Sequence, residues 1–393
     1  MRRIGEEAIK LTDAELAVNL FKQAVTQQNY PLDAPADLQW LWRFADAHNI
    51  RAAIAAPLLR ICPDMDEEAR LDWRECLYKN KRKKMMYDVE RERIYSALDE
   101  RGIMHAPLKG IILNDLYPDQ GIREFADNDI LIDSEKRDDA ERAMLGLGYK
   151  FDKSSTIVHY IFHKEPLFNF ELHHRLFPEK EEYSAFQGYF NSLPSRLIKS
   201  GPSEYSYSLT AEDSYLYILA HAYKHFTESG IGLRILSDIY LYKKQISMDE
   251  NLLEKGLKKL DIADFARSLE DLSNAVFAFD GQFELSMLSE SRQSLLDTII
   301  GSGAFGSAEE YFKRNYRKLS KKNGKASTLS YYRKRLFPSM DAYEKKYPTL
   351  YKHKALHPVF YVYRPVRSVI TNGKKLRLEL KTVSKAKKEE KGK

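Results

Sequence analysis

The sequence has few of the features that mark secreted, metal-stapled or membrane-spanning proteins. Cys62 and Cys76 are the only cysteines among 393 residues. Two thiols are too few for a zinc ribbon or a disulfide framework, and such scarcity is typical of a reducing compartment. No run of about 18 apolar residues occurs, so no membrane span is predicted. Residues 1–7 lack the apolar core of a signal peptide, and we therefore expect a soluble, cytoplasmic protein.

Charge of one sign does not dominate either. Lys and Arg number 63 against 57 Asp and Glu, so the net charge is only +6 although 31% of the residues are charged. This balance gives a mild attraction to phosphates and is not that of a dedicated duplex-DNA binder. The chain is long enough for two or three domains with a packed core, which excludes a small stapled scaffold.

Hydrophobic spacing divides the chain into four segments. Residues 1–100 are a predicted N-terminal helical region that ends in a long charged helix, from about Glu67 to Glu100. Residues 101–178 are a predicted α/β core, residues 179–371 a C-terminal helical region, and residues 372–393 a basic tail that we expect to be disordered. The predicted fold class is therefore α+β, with a small mixed β-sheet embedded between two helical regions.

Within the core, short apolar or alternating stretches predict the strands: Ile103–Leu108, residues 129–132, Ile157–Phe162 and Phe168–His174. A helical pattern from Lys136 to Leu147 is closed by Gly148, a residue suited to a helix C-terminus. In the long preceding helix, the basic run from Lys79 to Lys84 is more typical of a solvated face than of a nucleic-acid contact.

The segment from Gly121 to Ile132 carries the densest chemistry. Asp127 and Asp129 are two positions apart, so on a strand their side chains point to the same side. Two carboxylates that close repel each other unless a cation lies between them. Oxygen ligands at this spacing suit Mg²⁺, which usually holds phosphate oxygens. A solvated turn is the alternative for this tripeptide taken alone.

Residues before and after this pair extend the candidate site. Lys109-Gly110 stands between a predicted strand and a predicted helix, where backbone N–H groups can approach a phosphate and Lys109 adds a positive charge. Glu171 lies with His173 on the polar face of a later strand, where it can supply a third carboxylate. Arg123 is close enough to neutralise a phosphate or to brace the carboxylates.

Several motifs follow one another in a fixed order along the chain. They are Leu108-Lys109-Gly110, Leu116-Tyr117-Pro118-Asp119, Gly121-x-Arg123-x-x-x-Asp127-x-Asp129, Gly148-Tyr149, Glu171-Leu172-His173, His221-x-x-x-His225, Arg234-x-x-x-Asp238-Ile239, Gly303-Ala304-Phe305-Gly306 and Leu336-Phe337-Pro338. In this order they resemble the uncharacterised nucleotidyltransferase family, a branch of the polymerase-beta-type nucleotidyltransferase superfamily. Asn128 stands where an aliphatic residue is usual in the superfamily, and we expect it to face away from the metal.

The resemblance implies an enzyme that transfers an NMP from an NTP such as ATP to an acceptor hydroxyl, with release of pyrophosphate. Three catalytic carboxylates would hold Mg²⁺, with Mn²⁺ as the alternative: those of Asp127, Asp129 and Glu171. Glu171 would also act as general base for the acceptor. Three residues would position the triphosphate: Lys109, Gly110 and Arg123. The acceptor stays open between a small molecule, a protein side chain and an RNA end.

Substrate contacts are predicted at His173 and, through the resemblance, at residues of the later helices. These are His221, His225, Arg234 and Asp238, placed in the cleft opposite the carboxylates. His221 and His225 share one helix face, but Ala222 occupies the position where a zinc metalloprotease has its glutamate. Simple helix packing is the alternative for all four residues.

Other functions fit parts of the same sequence. A non-catalytic nucleotide-binding or scaffold protein with the same fold is the main alternative. Metal-dependent glycosyltransferases also use Asp-x-Asp, but typically after a long nucleotide-binding α/β half, whereas a helical region precedes it here. The spacing after Asp127 does not fit an EF-hand. The basic, aromatic stretch from Tyr311 to Lys325 could bind single-stranded nucleic acid, although a solvated linker is favoured.

Overall fold

The structure is a computed structural model that describes residues 12–304 except 154 and 157. The helices before the sheet are α1 (Asp13–Thr26), α2 (Leu38–His48), α3 (Arg51–Ile61) and α4 (Glu67–Asp99). A capping box begins α1, because the Thr12 hydroxyl accepts from the Glu15 N–H and the Glu15 carboxylate accepts from the Thr12 N–H. The long charged helix predicted from the sequence is confirmed as α4.

A five-stranded mixed sheet follows. Its strands are β1 (His105–Pro107), β2 (Asn128–Ile132), β3 (Lys150–Phe151), β4 (His159–Lys164) and β5 (Phe168–His173), in the order β1-β2-β5-β4-β3. β2 and β5 are parallel, and the other neighbouring pairs are antiparallel. Two helices connect them, α5 (Gly110–Asn114) and α6 (Arg137–Gly146). The predicted α+β class with a small mixed sheet is confirmed. β3 escaped the sequence analysis because two residues show no alternation.

The two faces of the sheet have different compositions. Apolar side chains of β2 and β5, among them Ile130 and Leu172, belong to a core cluster with residues of α4 and α6. Since side chains alternate along a strand, Asp129, Glu171 and His173 lie on the opposite face. Asn128 is on the core side, where its amide oxygen accepts from Arg91 of α4 at 3.1 Å.

The middle of α4 holds the loop that leads into β2. A Cβ on Gly121, which has φ +85°, would lie 2.5 Å from the Cα of Lys81, so only glycine allows the helix backbone this close. The Asn80 amide donates to the Gly121 carbonyl, and Lys83 Nζ donates to the Phe125 carbonyl at 2.6 Å. Lys84 is buried as well. The prediction of a solvated basic face is therefore wrong for Lys83 and Lys84, which turn inward.

The helices after the sheet are α7 (Ser184–Phe190), α8 (Ala211–Glu228), α9 (Arg234–Gln245), α10 (Glu250–Leu260), α11 (Ala263–Phe277) and α12 (Glu290–Ser302). A short hairpin of β6 (Ile198–Lys199) and β7 (Tyr207–Ser208) precedes α8. The N-terminal helices contact this region directly. Buried Asn19 of α1 donates to the Phe283 carbonyl at 2.8 Å and accepts from the Phe283 N–H at 2.7 Å.

The described residues other than Phe226–Gly230 belong to one compact unit. Within the described part of the chain, no helix is both long and apolar enough to cross a membrane. The predictions for the basic stretch from Tyr311 to Lys325, for the motif at Leu336 and for the tail from residue 372 lie outside the described residues.

Candidate active site

The two central strands bring the predicted acids together. The parallel register of β2 and β5 places Asp129 opposite Glu171. Asp127 lies one residue before β2, two positions from Asp129. The carboxylate oxygens of Asp127, Asp129 and Glu171 lie within 4.8 Å of one another. Parallel pairing thus joins three acids from two distant segments of the chain, and we call them the carboxylate cluster.

The charges of this cluster are unevenly matched. Burial and the carboxylates of Asp129 and Glu171 raise the pKa of Asp127 to about 6. Burial would also raise the pKa of Asp129, but Lys109 and the hydrogen bond from His173 outweigh it and hold that pKa well below its usual range. The same hydrogen-bonding histidine overcomes burial at Glu171, whose pKa is lowered. The repulsion among the three acids is therefore expressed mainly at Asp127.

Lys109 forms an ion pair with Asp129. It stands in the turn between β1 and α5 with φ +38°, a strained backbone conformation for a residue with a Cβ. Its Nζ lies 3.2 Å from Asp129 Oδ2 and 3.2 Å from His221 Nε2, and 5.6 Å from the centre of the Tyr217 ring. Burial would lower the pKa of Lys109, but Asp129 outweighs it and the pKa is raised. The lysine is thus charged and links the strand acids to α8.

Two histidines border the other side of the cluster. His173 Nε2 lies 2.7 Å from Asp129 Oδ1 and 3.5 Å from Glu171 Oε2. Burial would lower the pKa of His173, but its hydrogen bond with Asp129 and the nearby carboxylate of Glu171 raise it. His159 of β4 pairs with His173 in the sheet, and its Nε2 lies 3.5 Å from Glu171 Oε2. Sequence analysis missed His159, because its place beside His173 follows only from the register of β4 and β5.

Arg123 and Asp238, which were predicted separately, form a buried ion pair. Arg123 donates through Nε to Asp238 Oδ1 at 2.7 Å and through Nη2 to Oδ2 at 2.9 Å. The Tyr117 hydroxyl, also missed by sequence analysis, donates to Asp238 Oδ1 at 2.7 Å. A Cβ on Gly110 would lie 3.3 Å from Arg123 Nη1, so the glycine makes room for the guanidinium. This bidentate pair ties the loop before β2 to α9.

His221 and His225 stand one turn apart on α8. The Nε2 atoms of the two rings lie 3.2 Å from each other, and His221 also contacts Lys109. Burial and the charge of Lys109 lower the pKa of His221 well below its usual value. A neutral His221 imidazole can accept a hydrogen bond from Lys109. The structure therefore connects His221 to the carboxylate cluster through Lys109, and His225 through His221.

Arg234 begins α9 on the loop side of the cluster. Its guanidinium donates to the backbone carbonyl of Glu124. Burial and the neighbouring charge of Arg123 lower the pKa of Arg234. Its positive charge in turn acts on Asp127, where it opposes the rise in pKa. Arg234 is therefore a cation whose charge acts on Asp127, as that of Lys109 does.

The carboxylate cluster fits a hard divalent cation. Mg²⁺ prefers oxygen ligands and is usually held by a few carboxylates together with substrate phosphates. Burial, together with the charges of Asp129 and Glu171, raises the pKa of Asp127 in spite of Lys109 and Arg234. A dication at these oxygens would relieve that repulsion, so the donor set and the charge both suit it.

Comparison with known proteins gives one family match. A model of a family described as uncharacterised nucleotidyltransferase matches residues 34–278. No curated protein matches the chain. A solved structure of the antibiotic-resistance factor ANT(2″)-Ia is similar at 12% sequence identity, covering 47% of this chain and 93% of that chain, with a TM-score of 0.32. The family match spans the sheet, the carboxylate cluster and the helices α8 and α9.

Proposed function

Because the chain belongs to the uncharacterised nucleotidyltransferase family, we propose that it transfers an NMP from an Mg²⁺-bound NTP to an acceptor hydroxyl and releases pyrophosphate. One observation carries the proposal: carboxylate oxygens of Asp127, Asp129 and Glu171 converge within 4.8 Å, from the start of β2 and from the parallel strand β5. Three mutually repelling acids serve no packing purpose, whereas a metal-dependent transfer of phosphate groups requires them.

Asp127 and Asp129 are proposed to hold the cation that binds the triphosphate, and Glu171 to contribute to a second position. A bound Mg²⁺ would neutralise phosphate oxygens and hold the triphosphate in line for displacement. The acids themselves are preorganised for this purpose. Lys109 and His173 keep Asp129 ionised, and the strand register fixes the side on which it stands.

Two cations of the chain are placed to receive the negative charge of the nucleotide. Lys109 Nζ lies 3.2 Å from Asp129, so a phosphate that lies against the acids is within its reach. Arg234 stands on the side of Asp127, and a guanidinium can grip a phosphate with two donors. Positioning and charge neutralisation account for most of the catalysis that phosphate transfer needs.

Glu171 is proposed as the group that accepts the proton of the acceptor hydroxyl. Its lowered pKa keeps it ionised at neutral pH, as a base must be. The acceptor oxygen then forms a bond with the α-phosphorus, and the bond from that phosphorus to the bridging oxygen of the β-phosphate breaks. Pyrophosphate leaves with the bonding electron pair, and the NMP stays on the acceptor.

For Arg123 we propose a supporting role in place of the phosphate contact that its position in the sequence suggested. Both oxygens of Asp238 receive hydrogen bonds from it, and the pair is buried. We assign Arg123, Asp238 and Tyr117 to positioning: they hold the loop that carries Asp127 against α9. Gly110 is assigned to the same support, because it lies against the guanidinium.

Label transfer from the nucleotide tests the proposal. The full-length protein is incubated with Mg²⁺ and each of the four NTPs, radiolabelled at the α-phosphate or at the γ-phosphate. Pools of small molecules, proteins and RNA are supplied separately as acceptors. We expect the α-label to enter one pool and the γ-label to leave as pyrophosphate, with neither change when Asp129→Asn replaces the wild type. Stabilisation against heat by Mg²⁺ with one NTP should accompany transfer.

The outcomes separate the proposed enzyme from its alternatives. Thermal stabilisation by an NTP with no label transfer to any pool would favour a nucleotide-binding or scaffold protein. Transfer of the γ-label would indicate a phosphotransferase. In a parallel incubation with sugar-labelled nucleotide sugars in place of the NTPs, transfer of the sugar to a pool would indicate a glycosyltransferase. Each of these results would contradict nucleotidyl transfer.

A further inference from the structure

Glu171 belongs to a second group of potential ligands, on the side of the sheet that leads to β4. His173 lies two positions along the same strand, and His159 pairs with His173 across the sheet. The Nε2 atoms of both rings lie 3.5 Å from Glu171 Oε2, and the ring centres are 4.8 Å apart. Ligand atoms of the three residues all lie within 4.8 Å of one another. We call these residues the histidine cluster.

These separations suit metal coordination better than hydrogen bonding. Nitrogen–oxygen hydrogen bonds are usually about 2.7–3.2 Å long, so both 3.5 Å contacts with Glu171 are loose. Two ligands bound tetrahedrally at about 2.1 Å from a zinc ion are separated by about 3.4 Å. The two contacts therefore match the length of two edges of a tetrahedral metal site.

The other ring nitrogens of these histidines also lack partners. Nδ1 of His159 and Nδ1 of His173 are buried and have no hydrogen-bond partner among residues 12–304 that the structure describes. Buried polar atoms are nearly always hydrogen-bonded, and a histidine kept for packing usually satisfies both nitrogens. The residue His173 is itself only 3% exposed. The protein therefore satisfies neither imidazole at both nitrogens, and the Nε2 atom of each ring lies 3.5 Å from Glu171. Nε2 of His173 also forms a hydrogen bond of 2.7 Å with Asp129, which a metal at this nitrogen would replace.

We propose that His159, Glu171 and His173 bind a transition-metal dication, with Zn²⁺ as the best-suited ion, at a site distinct from the proposed Mg²⁺ position. Two imidazoles and one carboxylate are the ligands of many zinc sites with an open fourth position. Imidazole favours zinc and its neighbours in the transition series, whereas carboxylate and phosphate oxygens favour Mg²⁺. The proposal rests on the donor geometry and not on nucleotidyl transfer.

The shared carboxylate gives the two sites a physical connection. Glu171 belongs to both the carboxylate cluster and the histidine cluster. A zinc ion at the histidines would fix the Glu171 side chain and lower its basicity. The proposed site therefore lies where a transition metal can alter the residue that serves as base in the proposed reaction.

Metal titration of the full-length protein tests the site without any turnover. Chelator-treated protein is titrated calorimetrically with Zn²⁺ in excess Mg²⁺, and with Co²⁺ while its visible absorption is recorded. We expect Zn²⁺ to bind despite the Mg²⁺, and Co²⁺ to give the intense spectrum of a tetrahedral site. His159→Gln should weaken Zn²⁺ binding by more than the roughly 10- to 100-fold that loss of an outer-sphere partner costs.

Two variants serve as controls. His163 lies on the same strand as His159 and is largely exposed, with Asp152 as its partner at 2.9 Å, so His163→Gln should keep wild-type affinity. Asp127→Asn should also keep it, since Asp127 belongs only to the carboxylate cluster. Equal Zn²⁺ affinity in His159→Gln and His163→Gln would overturn the proposal, as would displacement of Zn²⁺ by Mg²⁺.

The test distinguishes loss of Zn²⁺ binding from loss of folding. His173→Gln removes a buried residue, so its circular dichroism is compared with that of the wild type, and half-buried His159 decides the result if His173→Gln does not fold. An Asp127→Asn variant that lost Zn²⁺ as strongly as His159→Gln would place the ion at the carboxylates and overturn the proposal. None of these measurements depends on NMP transfer, so failure of one proposal leaves the other standing.

Discussion

The carboxylate cluster and the Arg123–Asp238 pair are both groups of charges inside the fold, but their charges are matched to different degrees. Asp238 receives two hydrogen bonds from Arg123 and one from Tyr117. The three strand acids share Lys109, His173 and Arg234, and the pKa of Asp127 is still raised to about 6. A buried charge that the chain itself neutralises fully indicates a role in supporting the fold. A buried charge that the chain neutralises only in part indicates a place for an external cation.

This comparison predicts opposite outcomes for substitutions in the two groups. Loss of an acid of the carboxylate cluster should reduce transfer and leave the fold intact. Loss of a partner in the Arg123–Asp238 pair should reduce stability. If substitutions in the two groups had the same effect, the degree to which buried charges are neutralised would not distinguish catalytic residues from structural ones.

The largest effect is expected at the metal ligands. Asp127→Asn and Asp129→Asn each remove a ligand and a negative charge, and we expect a loss of transfer of about 10³-fold or more, because metal contacts contribute several kcal/mol to the transition state. Transfer of the α-label measures the loss, and circular dichroism checks that the fold remains. Wild-type rates in both variants would remove the carboxylate cluster from the mechanism.

The next effect concerns the stability of the internally matched pair. Asp238→Asn leaves the charge of Arg123 buried without its partner, which should lower the free energy of unfolding by about 3–5 kcal/mol. Urea unfolding measures it. As a control, the double variant Arg123→Met with Asp238→Leu removes both charges and should recover much of the loss. A stable Asp238→Asn variant that has lost transfer would instead assign the pair directly to the site.

Glu171→Gln should act on the chemical step. Removal of a base or ligand should lower kcat by on the order of 10²-fold, while binding of the Mg²⁺-bound NTP changes little. Glu90→Gln is a matched control, because Glu90 is a buried acid of α4 whose partner is Lys164 at 2.6 Å. It should lower stability but not kcat of the folded enzyme. If Glu171→Gln raised only KM for the NTP, Glu171 would be a binding residue.

Arg234→Ala tests the cation next to Asp127. If Arg234 grips phosphate, transfer should fall by roughly 10- to 100-fold, the equivalent of a charge-assisted contact of about 1.5–3 kcal/mol, with little change in Tm. Arg267→Ala, on the exposed surface of α11, is the control that should leave both unchanged. Parallel loss of Tm and transfer in Arg234→Ala would favour helix packing as its role.

The smallest effect is a pH dependence of stability in metal-free protein. The ordinary carboxyl pKa of 3.8 is raised to about 6 at Asp127 in the fold, so the folded protein holds this proton more tightly than the unfolded chain does. The contribution is fully present below about pH 4 and is lost as the pH rises through about 6. Asp127→Asn lacks this loss, so its Tm should exceed that of the wild type increasingly from pH 4 to pH 7. Parallel Tm curves would contradict the repulsion assigned to Asp127.

The spacing of residues in the sequence predicted the features that depend on residues close together in the chain, namely the faces of strands and the helices. The period of two placed Asp127 and Asp129 on one side and put Glu171 with His173 on one face. The helical period predicted α4 and α6. In each case the residues that decide the structure lie within one element, so the pattern is visible in a short stretch of sequence.

Pairings between distant segments could not be predicted in this way. Arg123 and Asp238 are 115 positions apart, and Lys109 and His221 are 112 apart. The register that sets His159 beside His173 depends on how two strands align, and a shift of one residue would reverse it. The sequence therefore indicated candidate residues, but not the contacts between distant segments that set the charge of the acids.

The parallel register of β2 and β5 also governs how this chain can change in length. In the loops between Ile132 and Phe168, outside α6, β3 and β4, added residues would only lengthen connections, and each doubling of a flexible loop costs about 0.6 kcal/mol. One residue inserted or deleted within β5 ahead of Glu171 would turn that carboxylate to the apolar face and bring Phe170 or Leu172 opposite Asp129. The loops can therefore vary in length, whereas an insertion or deletion of a single residue in β5 ahead of Glu171 would exchange the two faces of that strand.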